Sequence, residues 1–317
     1  MNTKKLISIL IPVRNEESNI YRCWESLSDL ADKCADRYQF EFVFTDNHSE
    51  DRSYQLLNEL VERDKRVQVF RLSRNFGYQA SIYTAYMQCR GRAAIQFDCD
   101  LQDPPEVIPV FLQKWERGYK VVYGVRNERK EGLVINCLRT AFYRLLALAS
   151  RDDLPENVGD FRLVDRVVIE EMRKVYDATP YLRGMISRIG FAQTGVPYAR
   201  NARLAGKSKF GIGTLWALAW DGFTSHSISP LRLATVVGLF TAICTFLFIV
   251  IYVVGRLASG PDWPPGFATM VILLLFGILL NAVFLGIIGE YVGRIYLQVK
   301  RMPISIIEEV KNGEDTK

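Results

Sequence analysis

Asp98 and Asp100 stand either side of Cys99, directly after the apolar run Ala93–Phe97, and the chain continues Leu101-Gln102-Asp103-Pro104-Pro105-Glu106. Alternate side chains leaving the end of a strand can point into one cleft. Two carboxylates placed so suit a hard divalent cation that also binds a diphosphate. In isolation the same pair would be a solvated turn. A second group, Arg183, Arg200, Arg203, Lys207 and Lys209, precedes the most apolar part of the chain. Guanidinium groups grip phosphate through paired hydrogen bonds, so this set suits a phosphate arriving at a lipid interface. The plainer alternative is a solvated face drawn to anionic headgroups. Arg126 and Arg129 can help neutralise a diphosphate.

These residues need a frame. Leu6–Val13 is an apolar run rich in β-branched residues and predicts a buried strand; Phe40–Thr45, Val67–Leu72 and Ala93–Phe97 predict three more. Ser18–Leu30, Ser53–Val61 and Tyr78–Cys89 carry helical spacing between them. Strands alternating with helices predict an α/β fold, with a mostly parallel sheet covered on both faces. Ligands of such sheets sit at the carboxyl ends of the strands. The polar clusters Arg14–Glu17, Asp46–Asp51, Ser73–Gly77 and Asp98–Asp103 fall there.

The length of 317 residues allows one large domain and an appendage. A net charge of +5 without a concentrated basic stripe argues against nucleic acid as a partner and is compatible with anionic lipid. Six cysteines without a CxxC, and only two histidines, argue against a zinc site and for free thiols in a reducing compartment. The first residues lack the pattern of a signal peptide. Leu233–Val254 and Phe267–Ile288 are uncharged and long enough to span a hydrocarbon core, which takes roughly 20 helical residues. Gly255–Gly266 is a Pro/Gly-rich turn between them. Arg232, Arg294, Lys300 and Arg301 flank the pair and place both ends in the cytoplasm. Leu133–Ser150 and Phe210–Ser225 are amphipathic, and the second suits the bilayer surface. Asn281, inside the second span, suits a hydrogen bond to another helix, in a neighbouring subunit. The expected organisation is a cytoplasmic domain over 1–202, an interfacial segment over 203–230, two spanning helices within 231–290, and a cytoplasmic tail over 291–317, polar after Glu308.

Seven stretches occur in an order that resembles one known family: IPVRNEESNI (11–20), TDNHSED (45–51), LSRNFGYQAS (72–81), QFDCDLQDPPE (96–106), GDFRLVDR (159–166), YLRGMISRIGF (181–191) and RLAGKSKF (203–210). The chain resembles family 2 glycosyltransferases of the polyprenyl-phosphate sugar synthase group, which includes bactoprenol glucosyltransferases and dolichol-phosphate mannose synthase. The ending GIIGEYVGRIYLQVKRMP (286–303) is similar to the bacterial members, so the resemblance covers nearly the whole chain. It implies a GT-A (Rossmann-like) catalytic domain followed by interfacial amphipathic helices and two transmembrane helices. It also implies a nucleotide-sugar donor, Mg²⁺ or Mn²⁺, and inversion at the anomeric carbon. By the resemblance, Pro12, Val13, Glu16 and Asp46 line the nucleoside pocket. Asp98 faces the ribose and diphosphate, Gln102 lies beside the donor, and Asp100, with Asp98, holds the metal. Asp160 is the catalytic candidate facing the acceptor, and Arg183, Arg203 and Lys209 take the acceptor's phosphate. For Glu16, helix capping is an equal explanation; for Asp160, the alternative is a salt bridge to Arg162 or a neighbour. The family often reads DDGS where this chain has Asp46-Asn47-His48-Ser49. Asn tolerates a tight turn, while His48 at the usual glycine position bears on the nucleotide preference.

The expected function is transfer of glucose from UDP-glucose to polyprenyl (undecaprenyl) phosphate, at the cytoplasmic face of the inner membrane, by a homo-oligomer such as a tetramer. Mannose and a modified arabinose are the alternatives to glucose. A processive polysaccharide synthase would usually carry QxxRW and more spans. A flippase needs a polar pathway, which two uncharged spans do not make. A non-catalytic scaffold has only the altered loop in its favour.

Overall fold

The computed structural model describes residues 4–126, 158–178, 180–201, 229–259 and 266–313. Arg129, Arg203, Lys207, Lys209 and both amphipathic segments lie outside them. Within the described residues the chain forms two compact units, one holding the residues up to 201 together with those after Arg301, the other holding residues 229–259 and 266–301.

The first unit is built on β1 (Lys5–Val13), β2 (Tyr38–Asp46), β3 (Val67–Leu72), β4 (Ala93–Gln96), β5 (Val121–Arg126), β6 (Val158–Asp165), β7 (Gln193–Tyr198) and β8 (Ile307–Asn312). Their order is β7-β5-β6-β4-β1-β2-β3-β8. β3, β2, β1 and β4 run parallel. β6 is antiparallel to β4 and β5, and β8 is antiparallel to β3. The sheet is therefore mixed, more so than the alternation of elements predicted.

Strand alternation sends successive side chains to opposite faces. Ile7, Ile9 and Ile11 join Phe42, Phe44 and Ile95 in one core; Leu10, Val43, Phe70 and Ala94 join the other. The first core is covered by α1 (Ile20–Lys33), α2 (Ser53–Arg63) and α4 (Ile108–Glu116), the second by α3 (Tyr78–Gln88), α5 (Arg166–Lys174) and α6 (Leu182–Ile189). Phe161 links the site end of the sheet to α4: its ring lies 4.6 Å from Phe111, 5.6 Å from Phe97 and 5.8 Å from Tyr198, centroid to centroid. Phe111 is fully buried. Phe111→Ala should lower the free energy of denaturant unfolding by about 3–5 kcal/mol, the usual loss for a buried phenylalanine.

The second unit holds α7 (Ser229–Ser259) and α8 (Phe267–Lys300), both long and apolar enough to cross a membrane. Their large side chains are exposed, Phe240 at 67% and Leu257 at 81%. So much bare hydrocarbon needs lipid or a partner.

The residues expected to form a tail are structured instead. α8 continues without a break to Lys300, helped by the Glu290–Arg294 ion pair at 2.8 Å, and stops at Arg301, whose φ is +48. Pro303 follows and cannot continue a helix. The chain then rejoins the first unit as β8. Ser73 N–H donates to the Ile306 carbonyl, and Tyr54 donates to Glu309 at 2.5 Å.

Candidate active site

The strand order reverses about β1: β2 and β3 lie on one side, β4 and β6 on the other. The crevice beyond the carboxyl ends of β1 and β4 is where sheets of this kind take ligands. Three loops meet there, and each bends through a non-glycine residue with positive φ: Asn15 (+54), His48 (+57) and Leu101 (+55). Such backbones cost about 1–3 kcal/mol apiece and concentrate at functional sites.

The first two loops are laced together. Asn15 N–H donates to Ser49 Oγ, Glu50 N–H to Asn15 Oδ1, and Glu16 N–H to Ser53 Oγ. Pro12 and Val13 end β1, and the Val13 carbonyl accepts from Asn47 N–H. The Glu16 side chain accepts from the Asn19 side chain at 2.6 Å, while its main-chain carbonyl takes the Asn19 and Ile20 N–H groups at the start of α1. Asp46 is fully buried; Oδ1 takes Ser49 N–H, while Oδ2 has no hydrogen-bond partner among the described residues. Burial pushes its carboxyl up, against the pull of Ser49 and Arg71. Arg71 Nε stands 3.8 Å from Oδ2 and 3.7 Å from Glu308 on β8, stacked over Tyr54. The left-handed residue of the Asp46–Ser49 loop is His48 rather than Asn47, which explains a glycine preference there. Asn47 instead ties this loop to the next, through Asn75 Oδ1 and Phe76 N–H.

The acidic pair forms the third loop. Asp100 Oδ1 accepts the Gln102 N–H, and the Gln102 carbonyl accepts Asn201 N–H. Asp98 accepts a 2.7 Å bond from Tyr78, which is itself held by Gln96. Burial, then the nearby Asp160, Asp103 and Asp100 carboxylates, push the Asp98 carboxyl up to about 7, against the Tyr78 bond. Asp160 lies so close because β6 runs antiparallel to β4. Gln96 pairs with Arg162, and two residues further along each strand stand Asp98 and Asp160.

Asp160 takes two donors of one guanidinium, one on each carboxylate oxygen: Arg183 Nε at 2.8 Å and Nη2 at 2.7 Å. Burial alone would raise its carboxyl; Arg183, then Arg162 and Arg126, outweigh it and hold the group below the usual range. The salt bridge thus exists, and Arg183 is the partner. Arg162 turns instead to the Gly159 carbonyl. Asp160 and Arg183, predicted as separate site groups, form one unit.

Crowded carboxylates on the acidic loop, one of them driven toward neutrality, fit a divalent cation. Among the described residues no three His, Cys, Asp or Glu side chains form a cage. A cation at Asp98 and Asp100 would complete its shell from water and a diphosphate, as Mg²⁺ commonly does. Three contributors escaped the sequence: Tyr78 on Asp98, and the buried Asp103 with Tyr198. A carboxylate directly before two prolines, at the end of the Asp98–Asp103 cluster, is the one local hint for Asp103.

The sequence profile described as Glycosyl transferase family 2 matches residues 8–173. The uncharacterized glycosyltransferase YkcC of Bacillus subtilis (strain 168) is 40% identical over 304 residues, 95% of this chain and 93% of that one. The SfII prophage-derived bactoprenol glucosyl transferase of Shigella flexneri is 34% identical over 308 residues, 97% of this chain and 99% of that one. A mannosyltransferase structure from Pyrobaculum calidifontis aligns over 90% of this chain and 88% of its own, at 14% identity and a TM-score of 0.47. The profile match and the full-length identity agree with the GT-A-like sheet and its acidic crevice, and the chain belongs to glycosyl transferase family 2.

Proposed function

We propose that the enzyme transfers a hexose, glucose from UDP-glucose, to the phosphate of a polyprenyl lipid, undecaprenyl phosphate, at the cytoplasmic face of a membrane. The observation that carries this is the Asp98–Asp100 pair in the strand-reversal crevice, with arginines on the neighbouring Asp103 and Asp160, in a chain with two lipid-length apolar helices. The Shigella relative's name supports the acceptor and the sugar. The site gathers Arg126, Arg162, Arg183 and Arg200 with Asp98, Asp100, Asp103 and Asp160. Its own charge is nearly balanced, so a cation and a sugar diphosphate can enter together without leaving net charge buried.

Asp98 and Asp100 would hold Mg²⁺ or Mn²⁺, which when bound supplies counter-charge to the leaving diphosphate. Pro12, Val13, Glu16, Asp46 and Gln102 line the path for the donor. Asp160, kept ionised by Arg183, faces the reacting centre. An acceptor phosphate has a second pKa of about 6 and needs little help losing a proton near neutrality. The phosphate oxygen attacks the anomeric carbon, the bond to the diphosphate breaks, and configuration inverts. Asp160 orients the acceptor or offsets positive charge developing on the sugar.

Both ends of the helix pair lead into one sheet, through β7 before it and β8 after it. Two crossings then return the chain to its starting side. Arg232, Arg294, Lys300 and Arg301 favour the cytoplasm for that side. Asn281 is exposed on α8 and, among the described residues, donates a 3.4 Å bond to the Gly277 carbonyl of its own helix. This supports a homo-oligomer, such as a tetramer, in which a neighbouring helix takes the amide.

The test is transfer of labelled sugar from a panel of nucleotide sugars to undecaprenyl phosphate in detergent, counted in the organic phase. No lipid-phase label from any donor would overturn the proposal. Arg203→Ala and Lys209→Ala should each raise the acceptor KM about tenfold, the loss of one charge-assisted contact, and leave the donor KM nearly unchanged. An equal rise for the donor would assign them to the diphosphate.

A further inference from the structure

Asp103 is 1% exposed and lies just past the acidic turn. Its Oδ1 accepts the Tyr198 hydroxyl at 2.5 Å. Two guanidinium groups approach the same oxygen without closing on it: Arg200 Nε at 3.5 Å and Arg126 Nη2 at 3.9 Å. Both distances exceed the roughly 2.7–2.9 Å of a charge-assisted hydrogen bond, which the Asp160–Arg183 pair in the same crevice attains. Arg200 Nε and Asp103 Oδ2 are buried and have no hydrogen-bond partner. Arg126 Nε donates to the Tyr198 hydroxyl at 3.3 Å, so one phenolic oxygen joins Asp103 to Arg126.

Two glycines make room for this arrangement. A Cβ at position 124 would stand 2.5 Å from Tyr198 Cε1, and a Cβ at position 159 would stand 2.9 Å from Arg126 Nη2 and 3.1 Å from its Cζ. At such approaches something must shift, the Tyr198 ring at 124 and the Arg126 guanidinium at 159, so each of these groups lies on bare backbone. Tyr198 is boxed in further by Phe161. Burial and Asp103 both keep its hydroxyl protonated, and therefore able to donate.

We infer that Asp103 and Tyr198 are positioning residues which, with Gly124 and Gly159 as their seats, aim Arg126 at a phosphate ester in the crevice. Arg183 is closed on Asp160; Arg126 and Arg200 keep hydrogen-bonding capacity. The inference rests on the proposed transfer only for the source of the phosphate, the donor's diphosphate or the acceptor's monoester.

Tyr198→Phe removes the bridging oxygen and keeps the ring. It should weaken phosphate binding by about 10–100-fold, the usual cost of losing an outer partner of a site group. Calorimetry with UDP and Mn²⁺ on the full-length protein reads the donor arm; competition by farnesyl phosphate reads the acceptor arm. Weakening in either arm supports the inference and names the source. Gly159→Ala removes no charge and should reproduce the loss, and the double variant should be no worse than either single one, as for two residues acting through the same group. Asp103→Asn gives the same reading if Gly159→Ala does not fold. Unchanged binding in both arms, a lowered melting temperature alone, or independent addition of the two losses would each overturn it. UDP binding is measurable without any lipid acceptor, so failure of the proposed transfer stays separate from failure of this inference.

Discussion

Asp100→Asn is expected to reduce sugar transfer by about 10³-fold or more, with melting behaviour nearly unchanged. The size follows from the role: a metal ligand acts where charge accumulates on the leaving diphosphate, and such electrostatic groups commonly carry factors of about 10²–10³ each. Asparagine keeps the shape and one oxygen, so the Gln102 N–H that caps Asp100 Oδ1 can still be satisfied. The loss should therefore appear in Mn²⁺-dependent UDP binding, measured by calorimetry, as well as in turnover. Near-normal turnover would remove Asp100 from the metal site.

The second large effect concerns Asp160. Asp160→Asn should lower turnover by about 10²–10³-fold, and the factor should stay constant between about pH 6 and 8.5. The sign follows from the pairing with Arg183. The folded carboxyl titrates below its ordinary value, so the pair contributes stability that is fully present above the ordinary carboxyl range and is lost only as pH falls through the depressed value. The Asp160 carboxyl itself carries no proton near neutrality, which makes it a poor proton acceptor there; the neighbouring Asp98 does titrate in that range, so the comparison is made with Mn²⁺ saturating in both enzymes. A base would instead give a defect that shrinks as pH rises and more acceptor is already deprotonated. Rate profiles of wild type and variant against pH decide between the two; recovery of most activity at high pH would establish proton removal.

The parallel half of the fold was legible because its signals are local. Ile7–Leu10 and Phe40–Thr45 are buried on both faces and mostly apolar, Ser8, Glu41 and Thr45 being the polar exceptions, and the acidic pair follows a buried strand as well. β8 was not legible. It is a half-exposed edge strand, Ile-Glu-Glu-Val-Lys-Asn, with the composition of a solvated tail. The tie between Asp103, Arg126 and Tyr198 joins three segments: the β5–β7 register sets Arg126 opposite Tyr198, and the Asn201 N–H to Gln102 carbonyl bond brings in the acidic loop. Arg162 was the natural partner for Asp160, since i and i+2 share a strand face, yet α6 delivers Arg183 in a forked geometry that Arg162 cannot match.

The return of the chain as β8 has a consequence for how the enzyme is made. β3 precedes the two apolar helices in the chain, and its partner strand follows them. During synthesis the β3 edge stays open, with unpaired backbone groups that invite aggregation, until both helices have left the ribosome. Completion of the sheet therefore waits for the last strand of the chain, which pairs antiparallel with β3.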